Sequence, residues 1–118
     1  MARVYGNNPN HWQAYCDWSV SSTDAATTIS VSAAGFRSVG WGFQLSSGVS
    51  VTASCTGQEA KSGSGGFASG TGATVEKSFV SGSWSVARTT SAQALTVTVT
   101  VTNSSGYMNG TSTLSFQV

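Results

Sequence analysis

Strict alternation of apolar and hydroxyl-bearing residues constrains this chain most, and it is clearest in Leu95-Thr96-Val97-Thr98-Val99-Thr100-Val101-Thr102. A period of two sends successive side chains to opposite faces of an extended backbone, so such a segment is a half-buried strand and not a helix. The same period recurs along most of the chain. Trp12, Ala14, Cys16, Trp18 and Val20 alternate with Gln13, Tyr15, Asp17, Ser19 and Ser21. Thr27, Ile29, Val31 and Ala33 alternate with Thr28, Ser30 and Ser32, and Ala34-Gly35 ends that run. Val39, Trp41, Phe43 and Leu45 lead to Ser46-Ser47-Gly48, which reads as a tight turn into Val49, Val51, Ala53 and Cys55. Residues 37–45 and 48–55 are therefore expected to form a hairpin. Val75, Lys77 and Phe79 precede a turn at Ser81-Gly82; Trp84, Val86 and Arg88 follow it, and Leu114, Phe116 and Val118 close the chain. About eight strands, with turn signals roughly every 8–12 residues, predict an all-β fold. The expected architecture is one antiparallel β-sandwich over residues 1–118, immunoglobulin-like or jelly-roll-like.

Residues 56–72 break the pattern. They are rich in Gly and Ser, lack apolar periodicity and read as one long loop. A loop of that length in a compact domain is usually functional or mobile. It would be an arm onto a neighbouring subunit or a lever that orders on assembly. Phe67 is its one large apolar residue, an anchor to the body or a contact residue.

Composition removes several classes of function. Gly, Ser and Thr fill 51 of 118 positions, only nine residues are charged, and the net charge is +1. Five scattered basic residues do not make a phosphate-neutralising surface, which argues against nucleic acid as a partner. No apolar run approaches the roughly 18 residues of a membrane span. Twelve aromatic residues and 39% hydrophobic content argue against intrinsic disorder. Low net charge leaves little self-repulsion between copies. It suits a protein that works packed against copies of itself or inside a larger particle, or a Ser/Thr-solvated extracellular surface.

The first residues, Met1-Ala2-Arg3-Val4-Tyr5-Gly6, lack the apolar segment of a secretory signal, so synthesis without export is expected. Cys16 and Cys55 both fall in apolar strand phase. They are a candidate disulfide closing a loop of about 38 residues, or two buried thiols acting as small hydrophobes. The missing export signal favours thiols. Asn103-Ser104-Ser105 and Asn109-Gly110-Thr111 match the glycosylation pattern, but in so Ser/Thr-rich a chain the match carries no weight.

Chemistry-bearing residues are few. His11 is the one histidine, and Asp17, Asp24, Glu59 and Glu76 are the only carboxylates. No spacing offers a zinc or calcium ligand set. His11 has no nucleophile-elbow pattern beside it. Glu59 lies in the Gly/Ser segment, a poor support for one of a pair of glycosidase carboxylates. No enzyme activity and no cofactor are expected.

The aromatic residues are the other candidates. Trp12, Trp18, Trp41 and Trp84 fall in core phase, whereas Tyr5, Tyr15 and Tyr107 fall in polar phase or in turns. Gln13, Tyr15, Asp17 and Tyr107, together with Phe67, are the candidate ligand or subunit contacts. Exposed tyrosines beside amides and carboxylates can stack and hydrogen-bond a sugar, and they equally make subunit interfaces. The threonine row 96–102 would bind ice only with matching rows on flat neighbouring strands; a plain exposed β-face is its simpler meaning.

A family resemblance rests on three stretches. Trp12-Gln13-Ala14-Tyr15-Cys16-Asp17-Trp18-Ser19-Val20-Ser21 leads into a polar turn and a Thr/Ser-alternating strand. Gly40-Trp41-Gly42-Phe43 follows, and Asn109-Gly110-Thr111-Ser112-Thr113-Leu114-Ser115-Phe116 closes the chain. In style and strand order the sequence resembles the immunoglobulin-like sandwich modules of tail and baseplate structural proteins of bacteriophages and prophages. The resemblance implies a non-enzymatic virion structural or host-surface-contact module with no catalytic residues. Its partners would be further copies of itself or other virion proteins, and its location the virion after synthesis in the host cytoplasm. The alternative is an extracellular carbohydrate-binding or lectin-like domain whose partner is a cell-surface glycan.

Overall fold

The computed structural model describes residues 2–9, 11–40, 42, 44–68, 74–87, 94–102 and 109–117. They form eight strands: β1 (Ala2–Tyr5), β2 (Trp12–Ser22), β3 (Ala26–Ser38), β4 (Gln44–Cys55), β5 (Lys61–Ala68), β6 (Glu76–Ala87), β7 (Ala94–Val101) and β8 (Gly110–Gln117). Two four-stranded antiparallel sheets, β1-β2-β3-β6 and β5-β4-β7-β8, pack face to face as a β-sandwich. The chain leaves β3, forms the β4–β5 hairpin in the other sheet, and returns in β6 to lie beside β3. That return is a Greek-key path of the jelly-roll kind. It differs from a constant-type immunoglobulin sheet, where the strand beside the second is the fifth.

Alternation places the core as expected in most strands. Leu95, Val97, Val99 and Val101 of β7 are buried against Trp12, Ala14 and Cys16 of β2, Ile29 and Val31 of β3, and Val49, Val51 and Ala53 of β4. Removing one such valine from water is worth roughly 1.5–3 kcal/mol. Trp12 stacks on Phe36 with centroids 5.0 Å apart, and Phe36 meets Phe67 at 4.4 Å. Phe67 therefore anchors its segment to the core and does not present an outward contact.

Three local expectations are corrected. The first is the loop over 56–72, because residues 61–68 within it form β5, paired along β4 from Ala53↔Lys61 to Gln44↔Ala68. Its inward positions are Gly63 and Gly65: a Cβ on Gly63 would lie 2.2 Å from the Phe79 carbonyl oxygen, and one on Gly65 would press on the Phe79 ring at 3.3 Å. Glycine removes the apolar signal at Gly63 because the neighbouring backbone comes too close for any side chain. Residues 61–68 are thus part of their own domain and not an arm; residues 69–72 lie outside the described residues.

The second correction concerns the hairpin over 37–45 and 48–55. Instead β3 runs on through Ala34-Gly35 to Ser38, and β4 runs through Ser46-Ser47-Gly48 with an irregularity between Leu45 and Val49. Third, Ser81-Gly82 is not a turn but lies inside β6. These breaks are irregularities within long strands. At Gly35 the β3–β6 register shifts, and a Cβ there would lie 2.0 Å from the Lys77 carbonyl oxygen. The alternation also overreaches at Val20, which is in core phase yet exposed, because the last residues of β2 run past the core.

Hydroxyl groups satisfy backbone where the ladders end. The fully buried Ser112 Oγ accepts from the Ala14 amide at 2.9 Å and donates to the Asn7 carbonyl, tying β8 to β2 across the two sheets. Asn7 then uses its own amide on β8: Nδ2 donates to the Thr111 carbonyl at 3.2 Å, and Oδ1 accepts from the Thr113 amide at 2.9 Å. Ser38 Oγ likewise accepts from the Val75 amide at 2.9 Å. Cys16 and Cys55 are buried and reduced, with no bridge between them. Burial, and secondarily the neighbouring Asp17, pushes the Cys16 thiol up to about 12, and burial also raises Cys55.

Three measurements test this packing. Ser112→Ala strands the Ala14 amide and is expected to lower unfolding free energy by about 1–3 kcal/mol in denaturant titration. Gly35→Ala is expected to remove about 3 kcal/mol, because the rigid Lys77 carbonyl cannot yield as a side chain would. Thiol-reagent titration should find neither cysteine reactive in the native protein at neutral pH and two thiols after denaturation.

Candidate functional site

One end of the outer face of the β1-β2-β3-β6 sheet gathers four of the nine charged residues. Register builds it in rows. Gln13, Arg37 and Glu76 lie side by side on β2, β3 and β6; Tyr5, Tyr15, Gly35 and Ser78 form the next row; Arg3 and Asp17 form the third. The alternation of each strand turns these residues away from the core, and neighbouring rows lie about 7 Å apart along the strand. Long side chains can bridge that distance.

Arg3 does so. Its Nη2 donates to Asp17 Oδ2 at 2.7 Å and its Nε to Asp17 Oδ1, a bidentate pairing, while Nη1 reaches Glu76. Arg37 Nε donates to the same Glu76 oxygen at 3.2 Å, and its Nη1 donates to Gln13 Oε1 at 2.9 Å. Gln13 Nε2 donates to the Gly6 carbonyl at 3.1 Å. Two guanidiniums and two carboxylates thus neutralise one another. The Arg3 guanidinium favours the charged carboxylate and holds Asp17 below its ordinary range, while the same bonds raise Arg3 and keep it protonated.

The aromatic residues lie within this frame. Tyr15 is only 3% exposed, so the outward platform expected of it is absent. Its side chain leaves the sheet on the expected face, but Arg3 covers the ring with its guanidinium carbon 4.8 Å from the centroid. Gly35 next to it in the row carries no side chain. The Tyr15 hydroxyl interacts with Ser78, and burial is the largest cause of its raised pKa. Tyr5, by contrast, is 45% exposed, with the Arg37 guanidinium 4.9 Å and that of Arg3 5.8 Å from its ring centre. Of the sequence candidates, Gln13, Tyr15 and Asp17 are brought together; Phe67 is in the core; Tyr107 lies outside the described residues. Arg3, Tyr5, Arg37 and Glu76 complete the cluster. Their outward phase is readable in each strand, but their company depends on β6 returning beside β3.

The opposite sheet presents a different surface. Ser64, Ser50, Thr100 and Thr111 lie in one cross-strand row, Ser62, Thr52, Thr98 and Thr113 in the next, and Ser54, Thr96 and Ser115 in a third. Thr96 and Ser115 share a hydrogen bond at 3.0 Å. None of these eleven side chains is charged, so the two outer faces differ in chemistry.

His11 stands at the turn before β2 with a positive φ of 61°. Among the described residues, no group of three or more His, Cys, Asp or Glu side chains is placed to hold a metal. Among them, too, no helix is long and apolar enough to cross a membrane. Comparison with protein-family models, curated proteins and solved structures finds no match.

The pH dependence follows from Asp17. Its folded pKa is lowered, so its stabilisation is fully present above the unfolded value near ~4 and is lost as pH falls through the folded value. Asp17→Asn should lower stability at pH 7 and flatten the acid limb of a stability–pH curve. A limb of unchanged slope would show that Arg3 does not hold this carboxylate in solution.

Proposed function

We propose that this chain is a non-enzymatic β-sandwich contact module of a larger assembly, a structural or host-surface-contact component of a phage virion. The observation that carries the reading is Tyr5, exposed between two guanidiniums on the one outer face that gathers charge and aromatic rings. Tyrosine and arginine dominate the energetics of protein contacts, and their side chains here are already ordered by mutual bonds. Both cluster carboxylates are engaged by guanidiniums, which supports contact and not acid–base chemistry. The hydroxyl face opposite is solvated without charge, and serine is depleted from interface cores. The partner is a further copy of the chain or another protein of the particle.

The test is the concentration dependence of solution mass by light scattering. Wild type is expected to assemble into a ring, small oligomer or filament as concentration rises. Tyr5→Ala is expected to shift the midpoint about tenfold upward, the effect of losing about 1.4 kcal/mol at an interface residue. A wild type that stays monomeric throughout would remove self-association. Assembly unaffected by Tyr5→Ala would move the contact off this face.

A further inference from the structure

We infer that β1 is a removable cover: a short strand clasped to the sheet by Arg3 whose release uncovers Tyr15 and the β2 edge while the sandwich stays folded. Two of the residues that the sequence marks as contacts, Tyr15 and Asp17, are engaged by Arg3 of β1. Arg3 lies over the Tyr15 ring, Tyr5 is its cross-strand neighbour, and the backbone of Ala2–Tyr5 occupies the edge of β2 from Trp18 to Tyr15.

Little else holds β1. It has four residues, and of these only Val4 packs against the core. Its remaining attachments are the ladder to β2, the Arg3 bonds to Asp17 on β2 and Glu76 on β6, and the ring contacts of Arg3 with Tyr15 and of Tyr5 with Arg37 on β3. Short, exposed elements with few apolar contacts open locally at far lower free energy than the whole domain. The chain just after β1 behaves differently. Gly6 donates to the Ala14 carbonyl at 2.9 Å, and Asn7 is bonded to β8 and to Ser112. Release therefore stops at Gly6, and the two sheets stay joined through Ser112 when β1 lifts.

The clasp is electrostatic, so charge controls it. The groups facing Arg3 are Asp17 from β2, Glu76 from β6, and the Tyr5 and Tyr15 rings; Arg37 from β3 shares Glu76. Lys77 is turned away, bonded to the Gly66 carbonyl at 3.0 Å. Protonating Asp17 removes the bidentate anchor. Because Asp17 is held below its ordinary range, the cover opens only under acid.

The inference does not depend on the assembly proposed above, because strand release is read from amide exchange in the monomer. The Ala14 edge of β2 faces β1, and by period two the Cys16 and Trp18 amides share that edge. Hydrogen exchange followed by NMR would compare these two amides with those of Val97 and Val99 in β7. Arg3→Met at pH 7 is expected to speed exchange at Cys16 and Trp18 at least tenfold, with the β7 amides unchanged. Arg3→Lys should give a smaller effect, since it keeps the charge but loses the bidentate geometry. Wild type should come to show the same selective pattern as Arg3→Met as pH falls through the folded Asp17 range. Equal acceleration at β2 and β7 in every case would mean that β1 opens only with global unfolding, and no acceleration would mean that Arg3 is no clasp. Either result overturns the inference.

Discussion

Strands of eleven to thirteen residues cannot stay packed against one core unless their backbones are re-aimed along the way, and this constraint shapes the molecule. β2, β3, β4 and β6 all have this length, and the domain is 49 Å long but only 25 by 19 Å across. Sheet twist accumulates along such strands and would carry their ends apart. Irregularities at Asp17/Trp18, between Val31 and Gly35, and between Leu45 and Val49 take up the difference. A bulge bends its strand and increases the local twist, so these positions keep the two sheets in register with one core.

The same bends create the candidate site. Gly35 lets β3 and β6 approach to a separation that no side chain would survive. Tyr15 from β2 sits beside Gly35 in its row and interacts with Ser78 on β6. Arg3 from β1 then spans from Asp17 to Glu76 above it. Four strands are joined through one buried phenol ring, and the arrangement exists only because β3 carries glycine where the alternation would place a side chain. A β-branched residue at Gly35 would push β6 away and separate Glu76 from both arginines.

Legibility in the sequence divides along this line. The period of two assigns a face to each residue from the chain itself, so Trp12, Ala14 and Cys16, and the inward row of β7, are where alternation puts them. It also sends Gln13, Tyr15 and Asp17 to the correct side of β2. What it cannot supply is the neighbour across the strand. Tyr15 reads as exposed because the arginine that covers it lies twelve positions away on another strand, and Glu76 meets Arg3 from seventy-three positions away. Glycine misleads in a second way. A break in alternation reads as the end of a run at Gly35 and as a turn at Gly82 although the strand continues through both, and at Gly63 and Gly65 missing apolar residues read as a loop although the backbone is a strand against β6. A glycine that frees a turn and one that admits a neighbouring backbone leave the same mark in a sequence.

The chemical difference between the two outer faces then acquires a physical meaning. Eleven hydroxyls on the β5-β4-β7-β8 face point outward, and any water they hold would be lost on contact with a partner. At the Arg3–Tyr5–Arg37 end of the other face, the charges are already paired and the side chains already ordered, so contact there displaces less water from unpaired charge and immobilises fewer rotamers. A domain with so few charges could have scattered them for solubility. Concentrating four in one neutral cluster leaves a surface on which Tyr5 is the exposed apolar feature and the guanidiniums around it fix its orientation. In the proposed reading the cluster both clasps the first strand and aims the ring that a partner would meet, so the strength of that clasp would set how rigidly the contact surface is held.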